Sequence, residues 1–246
     1  MFKKYWKFFV IFWSVVLVGI IGVFVFFWLI SAGKLGFMPT FEELENPNNR
    51  FASEVYFADG PIMNRYFEKE NRKYIEYREI PQSVIDALIA TEDVRFYDHS
   101  GVDVRGLFRV AKGLLTANTS AGGGSPISQQ LAKMLFPRES DLNVFELAIR
   151  KFREWVIAVR LEKSYTKEEI LTMYLNKYDF LNLAVGISSA ADIYFQVPLD
   201  SLKVEQAAML IGMAKNSSYY NPVRRPELTL NRRNVVLSQM YKYDKI

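Results

Sequence analysis

The chain has 246 residues, of which 50% are hydrophobic and 24% charged, which excludes a disordered protein and allows one sizeable domain with an accessory segment. Its formal net charge of +4 is compatible with an anionic substrate or a membrane surface, but it is too weak to indicate nucleic acid. Cysteine is absent and His99 is the single histidine, so disulfides, a thiol nucleophile and zinc sites made of cysteine or several histidines are excluded.

The first predicted element is a long apolar helix at residues 8–30, in which Ser14 is the one polar side chain. At about 1.5 Å per residue the helix covers about 34 Å, enough to cross a hydrocarbon core of about 30 Å. The apolar core of a cleaved signal peptide is shorter, so a retained transmembrane anchor is predicted, with cleavage after Ser31 to Gly33 as the alternative. Lysines are concentrated before the span, at Lys3, Lys4 and Lys7. Residues 1–7 are therefore predicted to be cytoplasmic and the rest of the chain extracytoplasmic.

A linker follows at residues 31–80. Within it, residues 52–67 contain two short β-prone runs around Asp59-Gly60, which indicates a β-hairpin, although an ordinary loop fits the pattern equally well. From residue 81 onward the hydrophobic period is helical, so we predict one mainly α domain over residues 81–246.

Two adjacent carboxylates, Glu92 and Asp93, follow a predicted helix that begins near Pro81. The apolar residues of this helix recur at helical spacing: Val84, Ile85, Leu88 and Ile89. Glu92 continues the same face, where a carboxylate loses hydration and becomes a stronger base. The alternative is a helix-terminal glutamate turned to solvent. For Asp93 and His99 the sequence favours capping hydrogen bonds in the following loop.

The second polar segment is GGGSPISQQLAKMLF at residues 122–136, where glycines precede a group of hydrogen-bonding side chains. The group consists of Ser125, Ser128, Gln129 and Gln130. Lys133 follows one helical turn later and can share their face. This pattern indicates a cradle for sugar hydroxyls and a phosphate, or else a flexible loop before a polar helix.

The third segment is AIRKFREWVIAVRLEKSY at residues 148–165. Helical spacing brings Arg150 and Lys151 onto one face with Glu154. Cations around a carboxylate suit a diphosphate, whose negative charge they would counter, and a weak surface ion pair is the alternative. A second face is predicted to be core: Phe152, Trp155, Val156 and Val159.

Residues 107–118 mix apolar side chains with Arg109 and Lys112. Such a segment can rest on a membrane surface, and an ordinary amphipathic helix against the core fits equally well.

These motifs, in this order, resemble those of the peptidoglycan glycosyltransferases, the family-51 glycosyltransferase domains of monofunctional transglycosylases and class A penicillin-binding proteins. The matching segments are TEDVRFYDHSG, GGGSPISQQLAK, RKFRE, KEEILTMYLN and RRNVVL, and the resemblance runs from about Ala52 to Met240. It implies a mainly α, lysozyme-like bilobal domain with a small β-hairpin region, preceded by one transmembrane helix.

The resemblance also implies an inverting polymerisation of lipid II into β-1,4 glycan strands, with release of undecaprenyl diphosphate. In this reaction Glu92 would be the general base that deprotonates the acceptor 4-hydroxyl, and Glu154 would assist on the diphosphate side. The implied substrate-binding residues are Asp93, His99, Ser125, Gln129, Gln130, Lys133, Arg150, Lys151, Arg232 and Arg233.

The same resemblance implies that no cofactor is required, with a divalent cation (Mg²⁺ or Mn²⁺) at the diphosphate left open. The expected partners are lipid II, the growing glycan strand and the membrane, but no nucleic acid; cell-wall synthesis proteins are open as further partners. The expected location is the cell membrane, as a single-pass protein.

Several residues depart from the family pattern: Pro126, Ser128, Met134, Thr172, Leu181 and Leu183. Pro126 and Ser128 stand where threonine is usual, and the two leucines replace glycines. Arg138 is the one candidate for the family's donor-site arginine.

Two other classes stay open on the residues alone. A lysozyme-like hydrolase would also use paired carboxylates, but it needs neither the cation set nor an anchor. A non-catalytic anchored scaffold is supported only by Pro126 and Thr172. The sequence leaves open whether the enzyme is monofunctional or part of a bifunctional penicillin-binding protein.

Overall fold

The computed structural model describes residues 2–40, 53–56, 62–66, 71–115, 125–135 and 143–246. Its helices are α1 (Phe2–Ser31), α2 (Gln82–Glu92), α3 (Val104–Leu115), α4 (Ile127–Leu135), α5 (Val144–Ser164), α6 (Lys167–Lys177), α7 (Ile187–Phe195), α8 (Val204–Met213) and α9 (Pro226–Lys242). Short 3-10 helices cover Tyr77–Glu79, Phe96–Asp98 and Leu199–Ser201. The prediction of a mainly α fold is therefore confirmed.

The strands are short and lie mostly before the helical part: β1 (Ser53–Tyr56), β2 (Ile62–Tyr66), β3 (Asn71–Arg72) and β4 (Ala184–Val185). β1 pairs antiparallel with β2, which confirms the predicted hairpin. Its turn, with Asp59 and Gly60, lies outside the described residues. β3 pairs in parallel with β4 and so attaches the linker to the helical domain.

Helix α2 lies against α8 and α9 and contributes its apolar stripe to the core. Val84, Ile85, Leu88 and Ile89 are all buried, as their spacing predicts. The helix ends at Glu92, and Asp93 leaves the helical backbone region with φ −156°. Glu92 therefore stands at the edge of the core, where the apolar stripe ends.

Helix α5 has its core side at Ile157, Ala158 and Leu161. The predicted core face of Phe152, Trp155, Val156 and Val159 is only half-buried, so that prediction was wrong. The ring centroid of Phe152 lies 5.4 Å from that of Phe26 and 5.7 Å from that of Phe27. This apolar face is thus partly covered by the end of α1 rather than by the domain core.

The end of α1 is also held by polar contacts. Arg160 donates to the backbone oxygen and the hydroxyl of Ser31, both at 2.8 Å, and to the Pro39 carbonyl at 3.0 Å. Gly36 has φ +116°, and a side chain there would collide with the Arg153 guanidinium. Helix α1 is therefore joined to α5, the helix that carries Lys151 and Glu154.

Among the described residues, one helix is long and apolar enough to span a membrane, over Tyr5–Ser31. Most of its large apolar side chains are exposed, which is typical of a segment that faces lipid.

Gly101 fixes the distance between the first and third motifs. It has φ +89°, and a Cβ there would lie 2.7 Å from the carbonyl carbon of Ala158 in α5. Only glycine allows both this backbone conformation and this close approach. The loop after Glu92 can therefore lie directly on α5.

Candidate active site

A cleft of about 950 Å³ opens beside the end of α2. Its walls come from α2 and the loop after it, from α3, α4 and α9, and from the residues that directly follow α6 and α8. The sequence-predicted residues that line it are Glu92, Asp93, Ser125, Gln130, Lys133 and Arg232. Residues assigned from the first, second and fifth motifs thus meet on one surface, and none of those assigned from the third motif lines it.

The Glu92 carboxylate is held on both oxygens and has 10% of its side chain exposed. Gln130 Nε2 donates to one oxygen at 3.0 Å, and Arg232 Nη2 contacts the other at 3.3 Å. The inward orientation predicted from helical spacing is confirmed, and the alternative of a solvent-facing glutamate is excluded. Since a carboxylate has about four acceptor positions, it retains capacity for a substrate hydroxyl.

The Gln130 side chain is itself fixed by three partners. Its Nε2 donates to the Ser125 carbonyl as well as to Glu92, both at 3.0 Å, and its Oε1 accepts from the Tyr174 hydroxyl at 3.0 Å. Burial raises the pKa of Tyr174 well above its usual value, and the charge of Glu92 adds to the effect, so the phenol is a permanent donor.

Behind Ser125 lies a group of two lysines and one glutamate. Lys151 Nζ donates to the Ser125 hydroxyl at 2.8 Å and pairs with Glu154 at 3.1 Å. Lys133 Nζ contacts the same hydroxyl at 3.3 Å and the same carboxylate at 3.6 Å. Glu154 has 13% of its side chain exposed, so its pair with Lys151 is not an ordinary surface ion pair. Ser125 therefore connects the Glu92 side of the site to the cationic side.

Asp93 and His99 join the first motif to the second. The Asp93 carboxylate accepts from His99 Nε2 at 3.0 Å and from the Ile127 amide, at the start of α4, at 3.1 Å. His99 Nδ1 accepts from the Gly101 amide at 3.2 Å, so the proton resides on Nε2. These are the capping bonds that the sequence favoured, and a direct contact of either residue with substrate stays a prediction.

The remaining predicted residues lie at different places. Gln129 is buried and donates to the Gly101 carbonyl at 2.9 Å while accepting from Lys151 at 3.1 Å. Within the described part of the chain, Arg150 has no polar partner and does not line the cleft. Arg233 donates to Asn234 at 2.9 Å, away from the lining, so its role in binding also stays a prediction. Arg138 lies outside the described residues.

Sequence reasoning missed several residues that line the cleft: Arg95, Asp103, Tyr178, Lys215, Gln239, Lys242 and Tyr243. Tyr178 follows Tyr174 at i+4 spacing, a signal that could have been used. Burial raises its pKa to about 12, and its hydroxyl donates to the carbonyls of Met213 and Ala214. Lys215 and Lys242 have no local pattern that distinguishes them from surface lysines.

No group of three or more acidic or histidine side chains that could hold a metal ion exists among the residues that the structure describes. This part of the chain therefore offers no metal-ligand set of its own.

The fold and the cleft define a class: a mainly α protein in which a buried, hydrogen-bonded carboxylate is connected to a group of cationic side chains. The sequence profile described as "Transglycosylase" matches residues 59–241. The chain therefore belongs to the transglycosylase family, the glycosyltransferase family 51 that its motifs resemble.

Curated relatives include penicillin-binding protein 1A of Escherichia coli (strain K12), 37% identical over 203 residues, which covers 82% of this chain and 23% of that protein. Penicillin-binding protein 1A of Pseudomonas aeruginosa is 37% identical over 205 residues, which covers 83% of this chain and 24% of the relative. The chain thus spans about a quarter of the length of these relatives. A solved structure of penicillin-binding protein 1A from Haemophilus influenzae is 22% identical with a TM-score of 0.43, covering 81% of this chain and 19% of that one.

Proposed function

We propose that this chain polymerises lipid II into β-1,4 glycan strands and releases undecaprenyl diphosphate. The observation that carries the proposal is the continuous set of contacts from Glu92 through Gln130 and Ser125 to Lys133, Lys151 and Glu154. It joins a base that lines the cleft to a cationic region behind Ser125, of which Lys133 also lines the cleft, as a transfer with an anionic leaving group requires.

Glu92 is the proposed general base. It takes the proton of the acceptor 4-hydroxyl while that oxygen forms a bond to the anomeric carbon of the donor. The bond from the anomeric carbon to the diphosphate oxygen breaks, and its electron pair leaves with the diphosphate. Attack from the face opposite the leaving group inverts the configuration. Proton abstraction of this kind contributes on the order of 10²–10⁴-fold in rate.

Lys133 and Lys151 are the proposed partners of the leaving diphosphate. Both ammonium groups already converge on the Ser125 hydroxyl, and Glu154 holds them together through contacts at 3.6 and 3.1 Å. Because the site forms before substrate arrives, little reorganisation is needed as negative charge develops on the leaving group. A diphosphate leaves readily, so cations serve here better than a strong acid.

The membrane arrangement is also part of the proposal. Helix α1 spans the cell membrane with its N-terminus in the cytoplasm, so the catalytic domain lies on the extracytoplasmic side. Large apolar side chains are exposed at the start of α3 and of α5: Val104, Leu107, Phe108, Val144, Phe145 and Leu147. These surfaces suit contact with the bilayer from which a lipid-linked substrate enters.

The test uses the full chain in detergent or liposomes, with labelled lipid II as substrate and moenomycin as competitor. Glu92→Gln should keep the fold and lower polymerisation by at least about 10²-fold, because it removes the base with little change in volume. Glu205→Gln, an exposed glutamate on α8, is the matched control and should keep full activity.

Release of lipid diphosphate with strand growth supports the transferase, whereas shortening of finished glycan would support a hydrolase. Near-full activity of Glu92→Gln would reject the mechanism. We also propose that no cofactor is required, so polymerisation in the same assay should persist in the presence of a chelator.

A further inference from the structure

Tyr174 is a buried tyrosine whose hydroxyl is directed at the active site without lining the cleft. Its side chain has no exposed surface, and its ring stacks on that of Tyr178 with centroids 5.8 Å apart. The hydroxyl donates to Gln130 Oε1 at 3.0 Å. A tyrosine that only filled the core would need no such partner on the catalytic side, and phenylalanine would serve there.

We infer that Tyr174 is a positioning residue for the general base, acting through the Gln130 amide. This inference rests on the proposed function of Glu92. The polar atoms form one chain: the Tyr174 hydroxyl donates to Oε1 of Gln130, and Nε2 of Gln130 donates to Glu92 Oε2.

The donor and acceptor roles in this series of hydrogen bonds follow from the partners of the Gln130 amide. Nε2 uses its two hydrogens on two acceptors, Glu92 and the Ser125 carbonyl, each at 3.0 Å. Oε1 faces a phenol that cannot lose its proton near neutral pH because burial raises the pKa of Tyr174. A rotated amide would direct its oxygen at a carboxylate and at a carbonyl, so every partner favours the same orientation.

The other oxygen of Glu92 is held from a different direction. Arg232 contacts it at 3.3 Å, a longer contact than that of Gln130, while Arg232 Nε donates to the Gly212 carbonyl at 3.3 Å. The shorter contact comes from Gln130, whose position depends on a rigid, fully buried ring in α6. We therefore expect Tyr174 to set how tightly the base is held when the acceptor hydroxyl approaches.

The test compares Tyr174→Phe with the unchanged chain in lipid II polymerisation. Loss of the hydroxyl leaves Oε1 without its donor and loosens the amide. The value of kcat should fall about fivefold, the effect of one neutral buried hydrogen bond, with KM unchanged. The acidic limb of the pH–rate profile should move to higher pH, because a carboxylate with a weaker donor is protonated more readily. Among the described residues, the other charged or titratable groups that act on Glu92 are Arg232 from α9 and Tyr178, which directly follows α6, and both are retained.

Two further variants separate positioning from stability. Tyr194→Phe removes a half-buried hydroxyl that donates to the Phe180 carbonyl at 2.7 Å, away from the cleft, and should leave kcat and the pH profile unchanged. In a Gln130→Ala background, Tyr174→Phe should cause no further loss of kcat, since the residue through which it acts is absent.

Additive losses in the double variant, or an unchanged kcat and pH profile in Tyr174→Phe, would overturn the inference. Failure of the unchanged chain to polymerise lipid II would instead reject the proposed function, so the two failures are distinguishable.

Discussion

The loop after α6 gives a prediction whose sign depends on two opposing backbone effects, strain in the folded state and entropy in the unfolded state. Leu181, Asn182 and Leu183 all have positive φ, and for Leu183 the value is 68°. The left-handed conformation costs an L-residue about 1–2 kcal/mol. Glycine would release this strain but would lose about 0.5–1 kcal/mol through its greater freedom in the unfolded chain.

We therefore expect Leu183→Gly to be more stable than Leu183→Ala by about 0.5–1 kcal/mol. The comparison with alanine is needed because both variants lose the same partly exposed side chain, whereas only glycine removes the Cβ. For a domain of this size the midpoint of thermal unfolding should differ by about 1–4 °C, measured by circular dichroism in detergent.

Leu230, on the exposed side of α9, provides a control with the opposite sign. It lies in a regular helix, so Leu230→Ala should be more stable than Leu230→Gly by about 1 kcal/mol. If alanine also proved the more stable residue at position 183, the strain assigned to this loop would be refuted.

Two further predictions concern charged pairs. Lys151→Ala should lower polymerisation by about 10²-fold, because it removes one of the cations held by Glu154. Arg153→Ala is the control: this residue lies on the side of α5 that meets α1, and its loss should change polymerisation about twofold or less. Equal losses of lipid II turnover in the two variants would count against the diphosphate site. Asp103→Asn should lower the melting temperature at pH 7. Burial is the largest single effect on Asp103 and acts to raise its pKa, but the hydrogen bonds from Arg95 and the Gly106 amide, together with the charge of Arg95, outweigh burial and lower the pKa below its usual 3.8. A lowered pKa gives stability that is present above pH 3.8 and lost as the pH falls further. The melting temperatures of the variant and the unchanged protein should therefore converge in acid. A difference that persists at low pH would contradict the role assigned to the Asp103 charge.

The inward position of Glu92 was predictable because helical periodicity is a local property. Apolar residues at i, i+3 and i+4 define the buried face of α2, and Glu92 continues that face at its last residue. The Lys151–Glu154 pair was predictable for the same reason, since both residues lie on one helix within one turn.

The apolar face of α5 marks the limit of such reasoning. Periodicity indicated that Phe152 is covered, and it is, in part. It could not indicate that the covering rings are Phe26 and Phe27 of α1 rather than side chains of the domain core. A hydrophobic pattern gives the direction of burial but not the identity of the neighbour.

The sequence by itself determined the long apolar N-terminal helix, the helical domain, and the side chains able to act as base and cations, because each depends on composition or on spacing within one element. Only the tertiary structure decided which groups hold the Glu92 carboxylate. Tyr174 is 44 residues from Gln130 in the sequence, and Arg232 is 140 residues from Glu92, so no local pattern relates them. These contacts depend on how α2, α4, α6 and α9 pack around a shared core, since hydrogen bonds require distances near 3 Å that spacing along one helix cannot specify.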